Sequence, residues 1–331
     1  MIDNRANIHG KLISALKNGT LKGVLNSVKN NTKLQLCFRG NSDPAKIIVY
    51  YNNHIVWRIC YLNGKKSKGK FKIEVSVNHA KDEAKRELLK KLHDDFGFNK
   101  IPSQINLIPP EIIDKIKYPY RYIVEDDILP KAFFTDLSNL MISVMDSYFC
   151  INNQKNKYVE KQRQHELFSA LTNNQNGYYM YDLEFSQKYE NKSSRESEGD
   201  QNHPDMLGIR YENGTPKALV LIEVKSTEAA CKGKCGLIKH ITGMLNYLNS
   251  HHMPDREQEA CDIIKLYKEL GIRNTPKSIP VPKDLKNHEI AVVLTDKAIT
   301  YYETEFIKKG KNFNNNNTKI FKWEKGKLDE F

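Results

Sequence analysis

The chain is 331 residues long, enough for two domains that each bury a core. Lys and Arg number 52 against 40 Asp and Glu, a net charge of +12 that favours polyanionic partners but specifies no sequence. The longest apolar runs are far too short to span a bilayer, and the opening Met1-Ile2-Asp3-Asn4-Arg5 lacks a signal-peptide apolar region. A cytoplasmic protein without a membrane partner is expected.

The N-terminal half reads first as strands. Residues 32–40 alternate apolar and polar. Segments 47–51 and 54–61 flank Asn52-Asn53, which suits a two-residue hairpin turn. Segment 71–77 adds another strand, and the composition of 82–93 and 134–149 predicts helices. Pro109-Pro110 and Pro119 interrupt the middle and put a domain boundary between residues 100 and 155. Residues 1–150 are therefore expected to be a mixed α+β domain, substrate-binding or oligomerising, followed by a second domain over 151–331. The cysteines at 37, 60, 150, 231, 235 and 261 suit reduced thiols, because their spacing is irregular for a zinc set.

The second half opens on a segment without Gly or Pro, 158–171, that predicts a helix ending near Asn173-Asn174. It carries two acids on different stripes. Glu160 aligns with Gln164, Leu167 and Leu171, and Glu166 with Val159, Arg163 and Ala170. Glu166 lies deeper in the apolar stretch and is the preferred site acid. Residues 178–185 are aromatic-rich and strand-like, with Asp182 and Glu184 sharing a face that lies either near a metal site or, by preference, outward as the polar face of an edge strand. Residues 205–211 and the apolar run 218–222 flank Asn213-Gly214 and read as a hairpin.

The second of these strands ends in Glu223-Val224-Lys225. Side chains alternate across a strand, so Glu223 and Lys225 point to the same side. The hairpin brings Asp205 to both. Two hard carboxylates suit Mg²⁺ or Mn²⁺, and an ammonium beside them can orient a water or stabilise phosphoryl charge. Lys232 and Lys234 follow in a glycine-flanked loop placed to hold a nucleic-acid backbone. Apolar residues at 237, 241, 244, 245 and 248 predict the next helix, on which Lys239 and His240 are candidates by position. Another buried-type strand, 289–295, and a short terminal one, 319–323, complete the chain.

The pattern His203-Pro204-Asp205 followed by Glu223-Val224-Lys225, with a helix before and after, resembles the PD-(D/E)XK nuclease superfamily over roughly residues 155–300. That resemblance implies an α/β fold: a restriction-endonuclease-like mixed central sheet flanked by helices, here preceded by the smaller α+β domain. It also implies a Mg²⁺- or Mn²⁺-dependent endonuclease that hydrolyses nucleic acid, DNA before RNA. Metal ligands would be Asp205, Glu223 and the backbone carbonyl of Val224. Lys225 would assist the water, and Glu166 would be the additional acid. Because the superfamily largely comprises restriction, repair and phage-defence enzymes, an antiviral defence role is an extension of the same resemblance. The alternative is a non-catalytic nucleic-acid-binding, structural or sensing protein that retains a nuclease-like fold. A homo-oligomer or a partner protein is compatible with either.

Overall fold

The computed structural model describes residues 6, 10–40, 45–62, 70–98, 109–113, 115, 120–124, 129–153, 159–172, 177–183, 187–188, 201–202, 204–232, 236–250, 252–272, 274–310, 313–314 and 317–331. The protein is mixed α/β with two main sheets, and it divides into two compact units, Arg5–Tyr158 and Val159–Phe331. A boundary at residue 150 would cut through the helix Phe133–Asn153. Among the described residues no helix is long and apolar enough to cross a membrane.

The first unit contains α1 (Gly10–Asn18), α2 (Lys22–Asn30), β1 (Gln35–Arg39), β2 (Lys46–Tyr51), β3 (His54–Leu62), β4 (Lys70–Val75), α3 (Asp82–Asp94), α4 (Pro110–Ile113), β5 (Tyr120–Val124) and α5 (Phe133–Asn153). Its strands form an antiparallel sheet in the order β1-β2-β3-β4-β5. Asn52 and Asn53 turn β2 into β3 with φ of 48° and 55°, the left-handed pair that a two-residue hairpin needs. Trp57 of β3 is fully buried, packs 5.2 Å from the Phe134 ring of α5, and donates its indole N–H to Ser138 Oγ at 3.0 Å. A buried Trp thus meets both its apolar and its polar requirement. Two N-terminal helices and β5 were not expected from the sequence.

The second unit contains α6 (Val159–Thr172), β6 (Tyr178–Leu183), β7 (Gln187–Lys188), β8 (Gln201–Asn202), β9 (Met206–Glu212), β10 (Thr215–Lys225), α7 (Glu228–Cys231), α8 (Leu237–Leu248), α9 (Met253–Leu270), β11 (His288–Leu294), α10 (Lys297–Glu305), β12 (Thr318–Glu324) and β13 (Lys327–Glu330). Six strands form the sheet β13-β12-β11-β10-β9-β6. Strands β6, β9 and β10 are an antiparallel meander; β11 and β12 then add in parallel, and β13 closes one edge antiparallel. Parallel neighbours require crossovers, which α7, α8 and α9 provide between β10 and β11, and α10 between β11 and β12.

Residues Ala218 to Ile222 of β10 are all buried, as their unbroken apolar run demands of a central strand. Asn213 and Gly214, with φ of 50° and 75°, turn β9 into β10. Helix α6 packs on β6 and β10, and α8 on β10 and β11. One expectation fails on β6: Asp182 does not face outward. It is 1% exposed, and its Oδ1 accepts the Leu183 N–H at 2.9 Å, so local backbone bonding offsets its burial. Glu184 lies outside the described residues.

A candidate active site at the end of the central strand

The last register pair between β9 and β10 is Met206 with Ile222. Beyond it, among the described residues, β10 runs on without a strand on that side. Thr295 N donates to Lys225 O at 2.9 Å, so the Lys225 backbone faces β11. By alternation the Val224 N–H and carbonyl face the side that β9 has vacated. Asp205, immediately before β9, fills the place: its Oδ2 accepts the Val224 N–H at 2.7 Å. The carboxylate acts as a continuation of the ladder and is fixed beside Val224.

Glu223 and Lys225 share the other alternation. Lys225 Nζ sits 2.6 Å from Glu223 Oε1, and His240 Nδ1 of α8 approaches the same oxygen at 2.6 Å. Glu223 Oε2 is buried and has no hydrogen-bond partner among the described residues. From α6, Glu160 Oε2 accepts the Ser226 N–H at 3.4 Å, just beyond the end of β10.

The electrostatics tie these groups into one centre. Burial, with the Glu223 and Glu160 carboxylates adding to it, pushes Asp205 well above the ordinary carboxylate range; the Val224 N–H and Lys225 oppose the shift. Burial likewise raises Glu160, again with Glu223 adding and Lys225 opposing. Burial alone would lower Lys225. The charges of Glu223, Asp205 and Glu160 outweigh it and hold the ammonium above its ordinary value.

Of the residues expected at the site, Asp205, Glu223, Val224 and Lys225 come together. Glu166 does not join them: Arg163 Nη1 donates to it at 2.6 Å and Gln162 Nε2 at 3.1 Å, while Arg163 also holds Asp296. The helix acid in the cluster is Glu160. The signal was in the stripe, since Gln164, Leu167 and Leu171, which share a face with Glu160, are buried. Depth along the helix was the wrong criterion. Lys232 is exposed, pairs with Glu228 and lies 4.9 Å over the Tyr301 ring. Lys234 lies outside the described residues. Cys37, Cys60, Cys150, Cys231 and Cys261 are free thiols.

Among the described residues no group of three or more His, Cys, Asp and Glu side chains is arranged to hold a metal ion. No protein family, curated protein or solved structure matches the chain.

Proposed function

We propose that the protein is a metal-dependent nuclease of the PD-(D/E)XK type, acting on the phosphodiester bonds of nucleic acid, DNA in the first instance. The observation that carries this reading is the enclosed Glu223–Lys225 pair at the end of β10 with Asp205 and Glu160 converging on it. The surrounding order also suits it: a helix, an antiparallel meander, a crossover helix and a parallel strand. A defence role against foreign nucleic acid is compatible with this chemistry.

The donor set fits a hard divalent ion. Mg²⁺ is commonly held by one or two protein carboxylates, with water and substrate phosphate filling the rest, so three convergent acids are not required. Glu223 Oε2 is a buried oxygen that lacks a partner among the described residues, a costly arrangement that a cation would relieve. Asp205, Glu223 and the Val224 carbonyl would hold Mg²⁺ or Mn²⁺. Such an ion would supply an acidified water and neutralise charge on the phosphoryl oxygens. Lys225 would orient an attacking water and stabilise developing negative charge. Glu160, whose pKa is raised by burial, is suited to hold or transfer a proton. His240 positions Glu223 through its Nδ1 contact.

A second reading draws on the same pair. Lys225 and His240 already occupy Glu223 Oε1, which also suits a nucleic-acid-binding module that does not cleave. Incubation with linear, circular and single-stranded DNA and with RNA, with and without Mg²⁺ or Mn²⁺, separates the two. Divalent-dependent cleavage that Glu223→Gln abolishes is expected. Binding without cleavage of any substrate overturns the nuclease reading.

A further inference from the structure

The five-stranded sheet of the first unit carries an unusual charge pattern on the face opposite Trp57. Register sets Arg39 of β1 beside Lys46 of β2, Lys46 beside Cys60 of β3, and Cys60 beside Lys72 of β4. In the next row Arg58 stands opposite Glu74, and Lys70 shares the face by alternation. Among the residues of these five strands Glu74 is the single carboxylate.

Glu74 does not neutralise the row. It binds Arg58 and, at 2.9 Å, Lys72. No hydrogen bond or ion pair to another described residue holds the Lys46 ammonium. The buried Cys60 thiol confirms the convergence: Glu74, Lys72, Lys46 and Arg58 all act on it, the acid raising its pKa along with burial and the cations lowering it. The cations are more exposed than the acid. Arg58 and Lys72 side chains are 31% and 17% exposed, Glu74 3%.

Adjacent strands lie ~4.8 Å apart, so the row across β1 to β4 is roughly 14 Å long. A single strand of duplex DNA presents about four phosphates over that distance. We propose that this face holds the phosphodiester backbone of a nucleic acid. The inference rests on the nuclease reading for the class of polyanion, and it deepens that reading by naming where substrate is gripped away from the chemistry.

The test uses the full chain without divalent ions, so nothing is cut, and measures anisotropy of a short labelled duplex across a salt series. Wild-type affinity should fall steeply with salt. In the double variant Lys46→Gln/Lys72→Gln, the log–log slope should become shallower by about two, roughly 0.9 for each phosphate no longer neutralised. Lys46→Arg/Lys72→Arg should restore the slope. If circular dichroism shows the double Gln variant misfolded, Lys46→Gln alone should reduce the slope by about one, since it breaks no ion pair. An unchanged slope overturns the proposal. So does binding to anionic phosphatidylserine vesicles in place of the duplex, abolished by the same substitutions, which would assign the face to a membrane. Divalent-dependent cleavage with an unchanged slope removes this inference and leaves the nuclease reading. A reduced slope in a chain that cleaves nothing does the reverse.

Discussion

Lys225 Nζ and Glu223 Oε1 lie 2.6 Å apart on one face of the central strand, with the two side chains only 6% and 2% exposed. Their attraction must repay the desolvation of both charges, and a pair of apolar residues in the same space is often as stable or more so. Stability alone is therefore a poor reason for this pair to occupy β10. A reactive centre is a better one.

Replacing Lys225 tests that directly. Lys225→Met keeps the apolar stem and removes the ammonium, leaving Glu223 buried against His240 alone. Breaking a buried pair from one side costs about 3–5 kcal/mol of stability, to be read by urea unfolding. Single-turnover cleavage at saturating divalent ion should fall about 10²–10³-fold, the usual loss for one electrostatic stabiliser. Nucleic-acid affinity should stay near wild type. Cleavage within a few-fold of wild type would remove Lys225 from the mechanism.

Removal of Asp205 has two consequences that one substitution cannot separate. Carboxylate repulsion alone would predict that Asp205→Ala is neutral or stabilising. The geometry reverses that sign, because Asp205 Oδ2 accepts the Val224 N–H and Ala would leave that donor unsatisfied. Asp205→Ala should lose about 1–3 kcal/mol, whereas Asp205→Asn keeps an acceptor and should lose less. Calorimetry should show weakened Mn²⁺ binding in both. Undiminished Mn²⁺ affinity in Asp205→Asn counts against Asp205 as a ligand.

The two acids of α6 make opposite predictions. Glu160→Gln removes a raised carboxyl that interacts with Asp205, Glu223 and Lys225, and should lower cleavage by about two orders of magnitude, in the range of general acid–base contributions. Glu166→Gln breaks a contact to Arg163 in which the two side chains are 38% and 34% exposed. Such pairs are worth about 0–1 kcal/mol, so activity should be unchanged and stability nearly so. Parallel rate measurements on the two variants decide between them. Equal losses in both would undo the assignment of Glu160.

The centre was legible in the sequence where local rules act alone. Glu223 and Lys225 follow from strand alternation, and Asp205 from the Asn213-Gly214 turn. What a helix presents inward was harder to read. Helix α9 was not expected at all, and its inward face shows why: Arg256 and Glu259 are fully buried and pair with each other at 2.7 Å. Glu257 is buried too, held by Lys286 and His288. Polar residues that pair with one another inside the fold erase the apolar periodicity on which a helix is recognised. His240 had only position to recommend it; the contact with Glu223 is a tertiary fact. Strand β5 begins directly after Pro119, which read as an interruption rather than as a strand start.

Glu74 offers a pH test in the other unit. Burial acts to raise its pKa, but hydrogen bonds and charge from Lys72 and Arg58 outweigh burial and hold it below the ordinary value of 4.5. A carboxylate depressed in the folded state stabilises the fold fully above its unfolded pKa, and that contribution is lost as pH falls through the folded pKa. Glu74→Gln removes the charge while preserving shape. It should cost about 1.5–3 kcal/mol near neutral pH, the scale for hydrogen bonds to charged groups. The difference from wild type should begin to shrink as pH drops below about 4.5 and should continue to shrink through the folded pKa. Taking the difference cancels the titration of every other carboxylate. Urea unfolding of the pair at pH 7, 5, 4 and 3 measures it. A gap of constant size across that range would mean that Glu74 contributes through packing and not through its charge.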